Sequence, residues 1–314
     1  MQVIRGIPAR AEQSSVLTIG NFDGVHLGHE ALLALLREKA RSLGLPAVVL
    51  TFEPHPREFF APAEAPARLA SLREKLLLLE AAGVDRVHVC RFDRHFASLT
   101  AEDFIDRLLV AGLGVRHLFV GDDFRFGKAR RGDFALLQGA SSAHSFGVEA
   151  MPTLDVAGER VSSSAVRAAL AAGDMDHAAR LLGRPYSIAG RVMHGDKIGR
   201  SLGFPTANIQ LKHRRPALSG IYAVSVQGAG PTLRMGAASV GVRPTVTDAG
   251  RATLEVHLLD FEGDLYTAHL RVHFLHKLRD EAKYDSLDAL TAQIARDVTA
   301  TRDWFAAHPA RATC

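Results

Sequence analysis

At 314 residues the chain is long enough for two domains of ordinary size. Its 47% hydrophobic and 23% charged residues give a soluble globular profile, and apolar runs such as Leu76 to Leu79 are far too short to cross a bilayer. The net charge of +4 arises from basic residues scattered among acids, which argues against a nucleic-acid partner. Two cysteines, Cys90 and Cys314, exclude a disulfide framework, and the first residues lack the apolar core of a signal peptide. A cytoplasmic protein with no membrane association is expected.

The first predicted strand that leads to chemistry is Val16 to Ile19. It runs into Gly20-Asn21-Phe22-Asp23-Gly24-Val25-His26-Leu27-Gly28-His29 and then a helix over roughly Gly28 to Ser42. Free backbone N–H groups and the positive end of the helix dipole collect at such a place. The glycines allow close approach of a phosphate, and His26 and His29 can donate to phosphoryl oxygens. A strand, a glycine-bearing turn and an HxGH helix start describe a nucleotidyltransfer site. Gly20, Asn21, Phe22, Asp23, Gly24 and Gly28 are its candidate nucleotide contacts.

Ala47 to Thr51 is a short β-branched run, followed by Thr51-Phe52-Glu53-Pro54-His55-Pro56. Two prolines keep that segment out of a helix, so it is either a rigid wall against a flat ring or a plain loop after a strand. Ser71 and Glu74 form a capping-box pair ahead of Lys75 to Leu79, and Gly83 stops that helix. Val84 to Val89 reads as a strand, Thr100 caps a helix through Leu109, and Val115 to Val120 reads as another strand. The next segment, Gly121 to Gly127, offers aromatics for stacking, while Arg125, Lys128, Arg130 and Arg131 read equally as a solvated face. Ser162, Ser163 and Ser164 at a helix mouth are ordinary capping chemistry and also a phosphate cradle. Arg167, one turn on, adds a charge-assisted clamp that capping does not explain. This βαβα alternation predicts a parallel sheet covered by helices on both faces, with ligands at the carboxyl ends of the strands.

The pattern changes near Leu182-Gly183-Arg184-Pro185, dividing the chain into domains 1–182 and 183–314. Beyond it lie short β-branched segments: Tyr186 to Val192, Gly220 to Val226, Leu233 to Val240, Thr253 to Leu259 and Leu270 to Phe274. They predict an antiparallel barrel or sandwich. Ser286 caps a closing helix in which Leu287, Leu290, Ile294 and Val298 recur at helical spacing. Gly195 to Asn208 is a long glycine-bearing loop, and in an extended segment Thr206 and Asn208 point the same way. Their hydroxyl and amide oxygens are hard ligands suited to Mg²⁺ with phosphates. Glu255 stands inside the apolar strand Leu254-Glu255-Val256-His257, either solvent-facing by alternation or as a functional base. Asp260 and Asp264 flank a turn and read as structural.

Taken in order, GNFDGVHLGH, TFEPHP, GDDFRFG, SSSAVR, GRSLGFPTAN, GIYAV, GVRPTV, LEVHLLDF and the tail from Leu278 to Asp297 give the chain a close resemblance to the prokaryotic bifunctional riboflavin kinase/FAD synthetase family. The resemblance implies a doubly wound, HxGH-type FMN adenylyltransferase domain joined to an antiparallel β-barrel riboflavin kinase domain with a C-terminal helix. Riboflavin and ATP would give FMN, and FMN and ATP would give FAD and pyrophosphate. In the kinase half it implies Glu255 as general base and Thr206 and Asn208 as Mg²⁺ ligands. The loop carrying Gly195, Lys197, Gly199, Gly203 and Pro205 would cover the ATP phosphates. In the adenylyltransferase half it implies His26, His29, the serines and Arg167 around the reacting phosphates, with Phe52, Pro56, Asp123 and Phe126 around the flavin. Two departures stand out: Ser164 replaces a threonine, keeping the hydroxyl, and Asp123 falls where some members carry Asn, placing a carboxylate near the FMN phosphate. Adenylylation of another phosphate acceptor is disfavoured by GFPTAN, and a class I aminoacyl-tRNA synthetase relative by SSSAVR in place of a KMSKS loop. A non-catalytic flavin- or RNA-binding barrel is disfavoured by the presence of Glu255, Thr206 and Asn208 together. The expected partners are small-molecule substrates, with a weak homo-oligomer left open.

Overall fold

Strands built from unbroken apolar residues demand cover on both faces, and the N-terminal half meets that demand with a parallel sheet. In the computed structural model, which describes residues 1–121, 123–151, 154–194, 199, 202–211, 215–243 and 251–312, the chain groups into two compact units. These are Met1–Pro66 with Leu72–Ser162, and Ala67–Ser71 with Ser163–Cys314.

The first unit holds β1 (Gln2–Arg5), β2 (Ser15–Ile19), β3 (Ala47–Glu53), β4 (Arg86–Arg91), β5 (Val115–Gly121) and β6 (Gly147–Met151). They form one six-stranded sheet in the order β1-β4-β3-β2-β5-β6, parallel throughout. The helices are α1 (Leu27–Leu43), α2 (Pro56–Phe60), α3 (Leu72–Ala81), α4 (Arg94–Ala97), α5 (Ala101–Asp103) and α6 (Phe134–His144). Strand alternation sorts the core into two layers. Val16, Val49 and Val87 pack with Leu33 and Leu36 of α1 and Leu79 of α3. Leu17, Val48 and Leu50 pack with Phe104, Ile105, Leu109 and Leu137. The helix predicted from Thr100 to Leu109 is capped by Thr100 as expected, yet after α5 it widens into a π-helix, Phe104–Gly112. Gly112 leaves no room for a side chain there: a Cβ would meet Ile7 Cγ2 at 2.6 Å and the Pro8 carbonyl at 2.7 Å. A short hairpin follows the sheet, β7 (Asp155–Val156) and β8 (Glu159–Arg160), turning through Ala157 and Gly158 at positive φ.

The chain runs β2, β3, β4 to one side and returns to place β5 on the other side of β2. The reversal lies between β2 and β5, where open parallel sheets bind ligands beyond their carboxyl ends. The Gly20–His29 turn leaves β2 at that point.

In the second unit, α7 (Ser163–Ala172) and α8 (Met175–Leu182) precede a closed barrel. Its strands are β9 (Ser187–Met193), β10 (Ala207–Gln210), β11 (Gly220–Gln227), β12 (Arg234–Arg243), β13 (Arg251–Leu258) and β14 (His269–Arg279), ordered β10-β13-β12-β11-β14-β9. All neighbours are antiparallel. Tyr222, Val224, Val226, Val240, Leu254, Val256, Val272 and Phe274 are buried on one face of these strands. The opposite face carries Ala223 and Leu275, which pack on Phe305 of the C-terminal helix Leu287–Ala307. The buried side of α8 (Met175, Ala178, Leu181, Leu182) faces β14. Among the described residues no helix is long and apolar enough to cross a membrane.

Burial holds the pKa values of His88, His117, His273 and His276 below 6.5, desolvation being the largest cause in each. The unfolded chain therefore binds more protons than the folded one as pH falls through and below about 6.5. The stability these neutral rings contribute is present above that window and lost below it. The thermal midpoint is expected to fall between about pH 7.5 and about pH 5.5. A midpoint that holds or rises over that range, followed by circular dichroism, contradicts the assignment.

Candidate active sites

The Gly20–His29 turn is held in a conformation few sequences adopt. Phe22 (φ 48°), Gly24 (φ 83°) and Val25 (φ 41°) all lie in the left-handed region. For a β-branched residue such as Val25 this is a strained state, and strain of this kind collects at functional sites. The end of β3 secures the turn: Gly20 N–H donates to Leu50 O at 3.1 Å, and Thr51 Oγ1 donates to Asn21 O at 3.3 Å. Behind Thr51 stands Lys75, 1% exposed, its Nζ 3.4 Å from Thr51 Oγ1.

His26 is the N-cap of α1 and 7% exposed. Its Nδ1 accepts from the His29 backbone N–H at 3.3 Å, so in the neutral ring the proton resides on Nε2. The two imidazoles stack with centroids 3.7 Å apart and 17° between planes, and Phe22 lies 4.9 Å from His29. Gly28 fits against the His26 ring, where a Cβ would sit 3.2 Å from Cε1. The helix start, two stacked imidazoles and the left-handed turn form a compact donor surface for an anion.

The other residues predicted for this half are distributed as follows. Pro56 is the first residue of α2, behind a capping box in which His55 Nδ1 accepts from Arg57 N–H and Glu58 Oε2 accepts from His55 N–H, both at 3.1 Å. Phe52 (9% exposed) and Phe126 (5%) belong to one hydrophobic cluster. Phe52 meets Phe96 at 5.3 Å and Phe126 meets Phe104 at 4.9 Å, so most of each ring is committed to packing. Asp123 is exposed, with Arg160 Nη2 at 3.9 Å, a cation that offsets the carboxylate noted in the sequence. Asp122 lies outside the described residues. Ser162 ends the first unit; Ser163, Ser164 and Arg167 lie on α7 of the second, where Arg167 Nε donates to Ala67 O at 2.6 Å.

In the barrel, alternation along β13 puts Leu254, Val256 and Leu258 in the core and Glu255 and His257 on the opposite face. Glu255 lies directly across from Asn208 of β10 and from Ser239 of β12. Thr206 Oγ1 donates to Glu255 Oε2 at 3.5 Å. Glu255 and Thr206 both line a cavity of about 640 Å³ whose far wall is the start of the C-terminal helix: Leu287, Leu290, Ile294 and Val298. The apolar stripe seen in the sequence thus faces a cavity, and the buried side of that helix is instead Asp297, Thr301 and Phe305.

Asp297 holds Arg279 in a two-pronged bond, Nε to Oδ1 at 2.8 Å and Nη2 to Oδ2 at 2.6 Å, and this bond raises the guanidinium pKa. Tyr284 lies 6.0 Å from Arg279, and burial pushes the Glu281 carboxyl upward. Gly241 has no space for a Cβ, which would collide with the Glu281 carboxylate. Asp260 pairs with Arg302 at 2.7 Å, and Asp264 Oδ1 accepts from Tyr266 N–H at 2.9 Å, both in structural roles. Of the glycine-bearing loop expected over the phosphates, Gly195 and Lys197 lie outside the described residues. At Gly199 a Cβ would stand 2.5 Å from Phe204 O, and Gly203 is left-handed at φ 84°. In the sequence the tail from Leu278 to Asp297 carries only the family resemblance, and no role for Arg279, Tyr284 or Asp297 is readable from its spacing.

Two family models match the chain in tandem: FAD synthetase over residues 9–165 and riboflavin kinase over residues 182–305. A bifunctional riboflavin kinase/FMN adenylyltransferase from Pseudomonas fluorescens is 56% identical, over 96% of this chain and 97% of that protein. The protein of the same name from Escherichia coli K12 is 51% identical, over 97% and 98%. A crystal structure titled as a macrolide-efflux protein from Streptococcus pneumoniae superposes with a TM-score of 0.80 at 30% identity, covering 97% of this chain and 100% of that one. With a nucleotidyltransferase-like turn in one unit, a carboxylate-lined barrel cavity in the other and full-length relatives at this identity, the chain belongs to the bifunctional riboflavin kinase/FMN adenylyltransferase family, making FMN from riboflavin and FAD from FMN.

Proposed function

We propose that the two reactions are divided between residues 1–182, which adenylylate FMN, and residues 183–314, which phosphorylate riboflavin. The observation that carries the kinase assignment is the pairing of Glu255 with Asn208 across the strands and with the Thr206 hydroxyl at 3.5 Å, Glu255 and Thr206 lining a cavity that the apolar stripe of the C-terminal helix also borders. Glu255 takes the proton of the ribityl 5′-hydroxyl as that oxygen attacks the γ-phosphorus of ATP, and the bond from that phosphorus to the bridging oxygen breaks to release ADP. Thr206 and Asn208 present neutral, hard oxygens beside that carboxylate, a donor set that fits Mg²⁺ shared with phosphates. Bound there, the ion would neutralise phosphate charge. The loop containing Gly195, Lys197, Gly199, Gly203 and Pro205 covers the phosphates, and the apolar helix face receives the flat ring.

In the other half the FMN phosphate is already an anionic nucleophile, so the site needs charge stabilisation and no base. His26 and His29 donate to the α-phosphate. Gly20, Asn21, Phe22, Asp23, Gly24 and Gly28 shape the nucleotide cradle. Ser162, Ser163, Ser164 and Arg167 receive the leaving pyrophosphate. Pro56 and Asp123, with the edges of Phe52 and Phe126, bound the flavin. The enzyme works in the cytoplasm on small molecules, without nucleic acid or membrane, as a monomer or weak homo-oligomer.

Full-length T206A and N208A variants test the metal reading. Each is expected to raise the Mg²⁺ concentration needed for half-maximal riboflavin phosphorylation by at least about 10-fold, with FMN adenylylation unchanged. Separated flavins from riboflavin, ATP and graded Mg²⁺ give the answer. A wild-type Mg²⁺ requirement in both variants rules out this pair as the ligands.

A further inference from the structure

We propose that His257 is a positioning residue for phosphoryl transfer, anchoring the loop that presents Thr206 to Glu255. The inference rests on the reading of Thr206 as part of the phosphate-side machinery. Residue 205 is a proline, so it has no N–H, and β10 begins only at Ala207. The one polar backbone handle at this position is the Pro205 carbonyl. His257 takes it, with Nδ1 3.0 Å from Pro205 O. The Phe204 ring meets the imidazole nearly edge-on, 5.6 Å away at 80°.

Among its described residues the loop also bonds to itself. Leu202 and Phe204 N–H groups both donate to Gly199 O, at 3.2 and 2.8 Å. These local bonds tie Leu202 and Phe204 to Gly199, while the His257 bond holds Pro205 against β13. Glu255 is two residues away on the same strand face, so loop and carboxylate are referenced to a single rigid element. A positioning error of about 1 Å at such a site can cost on the order of 100-fold in rate.

The acceptor is a carbonyl, so Nδ1 must carry the proton. That holds for the neutral tautomer and equally for the imidazolium. Among the described residues, Glu255 on the same strand and Glu281, Asp285 and Asp297 line the same cavity as His257, and Asp260 lies in the turn beyond, bound to Arg302. In either state of the ring the Nδ1–H bond to the Pro205 carbonyl is kept. A positioning His257 therefore leaves the acid limb of the kinase pH profile where it is, whereas a proton-transferring His257 would define it.

The test uses full-length H257A and H257N, with T206A in parallel. An asparagine amide can donate to the same carbonyl. H257A is expected to lower kcat/KM for MgATP by about 10–100-fold, with the riboflavin KM within about twofold. H257N is expected to recover to within about threefold of wild type with an unchanged acid limb. FMN adenylylation by the same samples reports folding. Wild-type kcat/KM in H257A overturns the proposal. So does an H257N enzyme that adenylylates normally yet phosphorylates no better than H257A, or one whose acid limb has disappeared. Should H257A fail to fold, H257N alone decides between these outcomes. If T206A keeps full kinase activity, the reading of Thr206 fails on its own, separately from the response of the His257 variants.

Discussion

Replacing Glu255 with Gln in the full chain is expected to cut riboflavin phosphorylation by about 100-fold or more while FMN adenylylation continues unchanged. The amide keeps the shape of the carboxylate, and a Thr206 hydroxyl can still donate to its oxygen, so the 3.5 Å contact is retained. What is lost is the capacity to accept a proton. Leu254 and Val256, which hold β13 in the barrel core, are untouched, so the melting curve should match wild type. A fall of less than about threefold would mean that Glu255 only decorates the cavity wall, since a general base is typically worth about 10²–10⁴-fold.

His29→Ala has the opposite signature: FAD formation from supplied FMN and ATP falls by about 10²–10³-fold, and FMN formation from riboflavin is spared. The architecture of the turn makes this a clean deletion. The cap on α1 is the His26 ring accepting from the backbone N–H of residue 29, a group that alanine keeps. The helix start and the Nε2–H tautomer of His26 should therefore survive the loss of its stacking partner. Near wild-type FAD output from a folded H29A enzyme would remove His29 from the reaction.

How much of this was legible depended on how local the signal was. The adenylyltransferase turn is ten consecutive residues between a buried strand and a capped helix, and its geometry is written into that short stretch. Glu255 was legible as an anomaly, a carboxylate in an apolar strand, and it does leave the core by alternation, onto the wall of a cavity. Edge elements were harder. β1 and β6 are half-exposed and carry no long apolar run, so nothing in them competes with a loop reading. That most of the Phe52 and Phe126 rings is committed to packing is not legible either, because their partners Phe96 and Phe104 are far away in sequence. Lys75 was passed over because lysine is ordinarily a surface residue, and only the fold brings it 3.4 Å from Thr51. The Arg279–Asp297 bond joins a strand to a helix 18 residues on, a pairing no local pattern announces.

The C-terminal helix behaves as a cantilever. Its clamp is the stretch from Asp297 to Phe305, with Arg279 as the bolt, and its free arm is the apolar stripe over the cavity, where Leu287 is 62% exposed. In mechanical terms the arm is an unfinished piece of hydrophobic core, which the flat ring proposed to enter the cavity would complete. Such an occupant would supply the arm's packing partner, so affinity for it and stiffness of the arm would be two readings of one free energy. Residues on the outer side of the arm, turned away from the cavity, would then alter binding through the compliance of the beam.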